Sequence, residues 1–277
     1  PRRYFFDRSE TVPVQKTLTG VRGNLIEMTD ERGIADIHRL TIGGETRMYM
    51  SGFTLNPETG SIIQAPDLGV NGNEQYPISF TMDYKKKDWI TVLFDCVPIN
   101  VYSLIDPQYL SPLNKLDVLD TSNSTPDAYG YHLQYPEFIP WTWSSYCEPF
   151  GVVFAKPGST IKIIGESGPL GKRMLLINAQ ETLSDRELAE GIGFKADETP
   201  SIPAVPWQAA RDMIILDSFR RHNFERYGIR NDRLKELQDE STALLKKADE
   251  ARERKQWFEF VKYARQSQAI ESRAYPD

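Results

Sequence analysis

The sequence predicts an α+β protein with a mainly β body, sandwich or barrel-like, followed by a C-terminal α-helical hairpin. From Tyr4 to Asn178, short β-branched and aromatic runs are cut every ten or so residues by Gly, Pro, Asn and Asp, the spacing of strands joined by turns. Helical periodicity is nearly absent there and takes over only after Pro206. The chain has 277 residues, 40% hydrophobic and 26% charged, so it can bury its own core and has the composition of an ordinary folded protein.

The body spans 1–180. Its candidate strands are Thr17 to Val21, Ile37 to Ile42, Arg47 to Phe53, Ile78 to Tyr84, Trp89 to Phe94, Ile99 to Ile105, Gly151 to Phe154, Thr160 to Ile164 and Arg173 to Asn178. Residues 106–150 break the pattern with Pro107, Pro112, Pro126, Pro136, Pro140 and Pro149, and eight aromatics crowd the stretch from Tyr129 to Phe150. This predicts a long aromatic, proline-rich loop that is functional or packed over the core as a lid.

Residues 181–205 read as a polar connector with a short helix at Ser184 to Gly191, where Ser184 and Glu187 have capping-box spacing. The helical region follows at 206–277. Pro206 suits a first helical turn, apolar residues recur toward Tyr227, and Gly228 supplies a stop. Asn231 is a ready N-cap for a second helix, with Leu234, Leu237, Leu244, Leu245, Ala248 and Ala251 along one side. Trp257, Phe260, Val261, Ala264 and Ile270 then recur at helical intervals. A break at 254–256 would fold the last two helices into an antiparallel hairpin over 232–275, a spacer of about 33 Å.

Several function classes are disfavoured by composition and motif. A formal net charge of -6 gives no electrostatic footprint for nucleic acid. The longest apolar runs, Trp89 to Phe94 and Val97 to Ile105, fall far short of the roughly twenty residues a membrane helix needs. Cys96 and Cys147 are either a disulfide pair or two buried free thiols. Around Gly165 to Lys172, a phosphate-cradling loop fails at Glu166 and Arg173, and a nucleophile elbow fails at Pro169. A tight glycine-rich hairpin loop remains.

His38, His132 and His222 are scattered without ligand spacing. Asp117, Asp120, Asn123 and Asp127 form an oxygen-rich run that reads as Asx turns, with calcium as the alternative. No catalytic residue, metal or cofactor is therefore expected. The candidate binding residues are the aromatics Tyr129, Tyr131, Tyr135, Trp141, Trp143 and Tyr146, which suit a sugar-stacking platform, a protein interface or a plug over the β core.

Asp106-Pro107-Gln108-Tyr109-Leu110, Leu116-Asp117-Val118-Leu119-Asp120, Tyr129-Gly130-Tyr131, Glu148-Pro149-Phe150-Gly151 and Gly165 to Gly171, with the helical pair ending Arg-Ala-Tyr-Pro, resemble the extracytoplasmic portion of large bacterial multi-pass membrane proteins labelled FtsX-like permeases. The resemblance covers roughly residues 100–277. It implies a location outside a bacterial membrane in the periplasm or at the cell surface, a transmembrane segment after Asp277, and a helical hairpin acting as a stalk. It implies no catalytic residue. The ends agree, since the chain opens Pro1-Arg2-Arg3 without a leader and stops just after a helix, as an excised domain would.

The leading expectation is a non-enzymatic extracytoplasmic module whose partner is another protein or its own membrane-embedded portion. The first alternative is a carbohydrate-binding or glycan-processing β domain using Trp141 and Trp143 with Glu137 and Glu148. The second is a structural subunit of an envelope or particle assembly.

Overall fold

The computed structural model describes residues 3–9, 24–30, 33–34, 47–72, 78–81, 90–113, 115–134, 149–166 and 171–275. The class is α+β, with three sheets and four α-helices among the described residues. No barrel closes among the described residues. The chain divides into two compact units, one of Pro1–Pro98, Asp127–Gly130 and Phe154–Pro157, the other of Ile99–Pro126, Tyr131–Val153 and Gly158–Asp277.

The first unit holds strands β1 (Arg3–Ser9), β2 (Asn24–Met28), β3 (Arg47–Leu55), β4 (Ile62–Pro66), β5 (Ile78–Thr81) and β6 (Leu93–Asp95). They pair in the order β2-β1-β3-β4-β6, with β5 also on β3. Tyr4 faces Met28 on one side and Phe53 on the other, so β1 is an interior strand. Phe53 and Phe154 meet at 5.6 Å between ring centroids, and Ala65, Leu68, Cys96 and Ala155 are also buried. Cys96 is a free thiol, pushed up to about 12 by burial and by the neighbouring Asp95 charge. After β4 the chain turns tightly. The Asp67 carboxylate accepts from Gly69 N–H at 2.7 Å, and side chains at Gly69 and Gly72 would overlap the carbonyls of Asp127 and Asp67. Only glycine fits there.

The remaining strands, β7 (Val97–Val101), β8 (Lys115–Leu119), β9 (Tyr129–Gln134), β10 (Phe150–Ala155), β11 (Thr160–Glu166), β12 (Lys172–Leu176), β13 (Phe194–Lys195) and β14 (Ser201–Ile202), form two sheets. One runs β14-β7-β10-β9; the other places β11 between β12 and β13, with β8 also on β11. β11 is buried along its length, as an interior strand must be.

The expected strands at 17–21 and 37–42 lie outside the described residues, and the remaining candidates coincide with or overlap observed strands. The segment 106–150 is not one continuous loop, because β8 and β9 lie within it. Prolines end strands but do not forbid them between prolines. Lys115–Leu119 alternates exposed or half-buried with buried residues in the period-two manner of a strand.

The helices are α1 (Arg186–Ala189), α2 (Val205–Arg226), α3 (Asp232–Glu253) and α4 (Trp257–Ala274). Asp185, not Ser184, caps α1 by accepting from Leu188 N–H at 3.2 Å. Pro206 sits in the first turn of α2, Gly228 follows its end at φ +78°, and Asn231 caps α3 by accepting from Leu234 N–H at 3.0 Å. Lys255, at φ +57°, lies between α3 and α4, which pack against each other. Helix α2 packs on both, so the tail is a three-helix assembly. The apolar face of α2, with Met213, Ile215 and Leu216, covers Ile164, Leu175 and Ile177 of the sheet.

One carboxylate fixes this docking. Asp212 of α2 is wholly buried. Its Oδ2 accepts from the N–H groups of Ile177 at 2.8 Å and Asn178 at 2.9 Å, and its Oδ1 from Ala179 N–H at 3.0 Å and Gln208 Nε2 at 2.9 Å. Burial raises its pKa to about 6 against the opposing pull of those donors. Replacing Asp212 by Ala strands three backbone N–H groups, each worth about 1–3 kcal/mol when buried without a partner. We expect Asp212→Ala to lose at least ~3 kcal/mol in urea unfolding, and Asp212→Asn, which keeps one acceptor oxygen, to lose less.

Candidate functional site

Chemistry in the second unit gathers where α2, α3 and α4 meet. The sequence places the leucine side of α3 inward, yet Leu234, Leu237, Leu244 and Leu245 are only half-buried. The deeply buried α3 residues are Gln238, Ser241, Ala248 and Ala251. Opposite them α4 buries Phe260, Ala264, Ser267, Gln268, Glu271 and Ser272. Small side chains let the two helix backbones approach closely. Ser267 Oγ donates to the Ser241 carbonyl at 2.9 Å, while Ser241 Oγ reaches the Ser267 carbonyl at 3.2 Å and its hydroxyl at 2.9 Å. Nearer the α3–α4 reversal, Trp207 Nε1 of α2 donates to Asp249 of α3 at 2.9 Å, and Arg252 stacks over the Trp207 ring at 4.6 Å.

Within this interior, Asp217 of α2 meets Glu271 of α4, whose side chain is 0% exposed. Neither Glu271 oxygen, nor Asp217 Oδ2, has an N–H or hydroxyl partner satisfying hydrogen-bond geometry. Ionised carboxylates only accept, so two that meet in a dry interior can bond only if one carries a proton. Burial raises Glu271 to about 8, reinforced by the Asp217 charge and opposed by the neighbouring Ser241 hydroxyl. Burial also raises Asp217 to about 6, opposed by Arg220, whose Nη1 lies 3.4 Å from Asp217 Oδ1. The pair therefore shares one proton at neutral pH and titrates as a unit. Arg220 is itself seated over the Tyr275 ring at 5.0 Å. Sealed from solvent, the pair can take up or release a proton but cannot touch a substrate.

Two further polar clusters are structural. Asp106, wholly buried, accepts from Gln108 N–H at 2.8 Å and Tyr109 N–H at 3.3 Å. Its other oxygen lies 3.5 Å from Arg173 Nε. Lys162 on β11 is buried and donates to Asn123 Oδ1 at 2.8 Å; burial lowers its pKa, opposed by Glu190 and Asp120. This Lys162 contact falls in the oxygen-rich run that reads as Asx turns with calcium as the alternative. An ammonium already occupies the Asn123 oxygen, and Asp120 Oδ1 is committed to Ser122 N–H at 2.8 Å, Ser122 Oγ at 2.7 Å and Ser124 N–H at 2.9 Å. Asp120 thus forms an Asx turn. No group of three or more His, Cys, Asp or Glu poised for a metal exists among the described residues.

Of the six candidate binding aromatics, Tyr129 and Tyr131 lie on β9, both half-buried. Burial pushes the Tyr131 hydroxyl upward, opposed by a backbone hydrogen bond at Leu116. Tyr135, Trp141, Trp143 and Tyr146, with Glu137 and Glu148, lie outside the described residues. The carboxyl pair escapes sequence reading because its members sit on different helices. Its only local trace is a run of Ser, Gln and Glu at core spacing in α4. No protein family, curated protein or solved structure matches the chain.

The pair makes stability depend on pH. Below an ordinary carboxyl value of 4.5 both folded and unfolded chains hold the Glu271 proton; between 4.5 and about 8 only the folded chain does. Raising pH through that window therefore favours unfolding, by an amount on the order of a few kcal/mol. Asp217 and Asp212, both raised from 3.8 to about 6, act in the same sense in the lower part of it. Urea unfolding from pH 5 to 9 should show stability falling. In Glu271→Gln, whose amide donates to Asp217 at any pH, the slope above pH 6 should flatten. Calcium at millimolar concentration should leave Tm unchanged.

Proposed function

We propose that this chain is a non-enzymatic module on the extracytoplasmic side of a bacterial membrane protein, with a sandwich-like β body and α3 and α4 as a hairpin that serves as stalk or docking element. Its partner is the protein's own membrane-embedded portion or a second protein. The observation that carries the reading is the helical assembly itself. Helices α2 and α3, of 22 residues each and about 33 Å long, pack with α4 around an interior that includes Ser, Gln, Asp and Glu. The large apolar side chains they expose are concentrated at the two ends, where Phe224, Tyr227 and Ile229, and separately Trp257 and Phe258, stand exposed. A rigid rod with apolar ends suits spacing and docking. The resemblance of residues 100–277 to FtsX-like permeases supports the location. No described helix is long and apolar enough to cross a membrane, so in this reading the span lies elsewhere in the protein.

The test is labelling in intact bacterial cells carrying the full gene, using a membrane-impermeant amine reagent. Exposed lysines such as Lys235, Lys246 and Lys255 should react before lysis, and the protein should fractionate with membranes. Labelling only after lysis would overturn the reading.

A further inference from the structure

We infer that the α2–α3 turn is a docking tip for an anionic phospholipid surface. The inference rests on the bundle working at a membrane, and adds which end meets that surface and through which residues.

Every residue from Phe224 to Arg233 is exposed. Three are large and apolar in character: Phe224, Tyr227 and Ile229, with Tyr227 84% exposed. Around them stand Arg226, Arg230, Arg233 and Lys235, all exposed and without a carboxylate partner among the described residues. The carboxylates of the same stretch are otherwise engaged. Glu225 lies 3.6 Å from Arg221, and Asp232 occupies the first turn of α3, where the helix dipole favours a negative charge. In a chain of net charge -6, this is a local basic excess wrapped around an apolar point. Aromatic and aliphatic side chains settle at headgroup depth while arginines remain at the phosphates.

The opposite end of the bundle is the internal contrast. Trp257 and Phe258 are exposed there too, but the surrounding cations are mostly answered. Arg252 faces Asp249 at 3.0 Å, Arg254 faces Glu250 at 4.0 Å, and Lys262 faces Glu259 at 3.1 Å. Charge therefore singles out the α2–α3 end for an anionic surface. The C-terminal end of α4 lies at this same end of the bundle, with Tyr275 beneath Arg220.

Vesicle sedimentation of the 277-residue protein tests this. It should pellet with phosphatidylcholine vesicles containing about a third phosphatidylglycerol, at low salt, and not with phosphatidylcholine alone. Each arginine contributes about fivefold, so Arg226→Gln/Arg230→Gln/Arg233→Gln should weaken partitioning about a hundredfold. Phe224→Ser/Tyr227→Ser/Ile229→Ser should weaken it at least about tenfold, whereas Trp257→Ser/Phe258→Ser should leave it unchanged. Binding to neither vesicle, equal binding to both, or loss only in the Trp257/Phe258 variant would overturn the tip. Labelling from outside intact cells would still stand in each of those cases, which separates failure of the tip from failure of the location.

Discussion

Asp212 places a wholly buried carboxylate against three consecutive backbone N–H groups that no strand ladder takes up, and the second unit is organised around that contact. The chain leaving β12 at Ile177 has finished pairing but has not reached solvent, so its donors need acceptors inside the protein. A single carboxylate on α2 supplies them, with Gln208 completing its shell. Arg211 adds a bond to the Ala179 carbonyl at 2.8 Å. Together these fix how α2 lies on the sheet and its rotation about its own axis. Met213 and Leu216 are then directed onto Ile164 and Leu175, and Asp217, roughly 140° around the helix from Asp212, meets α4. The polar interior of the bundle is thus positioned from the sheet.

That interior exchanges apolar burial for geometry. Ser241 and Ser267 clasp each other's backbone, and the Asp217–Glu271 pair admits only the arrangement in which one proton lies between its members. Such contacts add less to stability than leucines of equal volume, but they are unforgiving of register. Slipping α4 against α3 would separate the serines and leave a carboxyl group buried without its partner. Gln238 belongs to the same interior, with neither end of its amide bonded.

What the sequence makes legible here is local. Pro206, Gly228, Asn231 and the break at 254–256 each act within a turn of helix, and each stands where the residue chemistry places it. Ser184 is displaced by Asp185 as a cap, a one-residue shift between two capable acceptors. The interior of α3 is only partly legible by hydrophobicity. Periodicity assigns Leu234, Leu237, Leu244, Leu245, Ala248 and Ala251 to one inward side; the two alanines are buried there, but the leucines are only half-buried and Gln238 and Ser241 take the remaining interior positions. Strand β8 is hidden by the surrounding prolines although its own five residues alternate correctly. The carboxyl pair and the Lys162–Asn123 contact join residues far apart in the chain, and no local pattern announces them.

These relations make the sheet of β8, β11 and β12 and the three helices one cooperative body joined at Asp212. Native-state hydrogen exchange resolved by residue tests that claim most directly. The amides of Ile177, Asn178 and Ala179 should open with the same free energy as the central amides of α3 and α4, in the same global event. If those three amides exchange rapidly while the helices stay protected, the Asp212 contact does not join sheet and bundle, and the account fails at its centre.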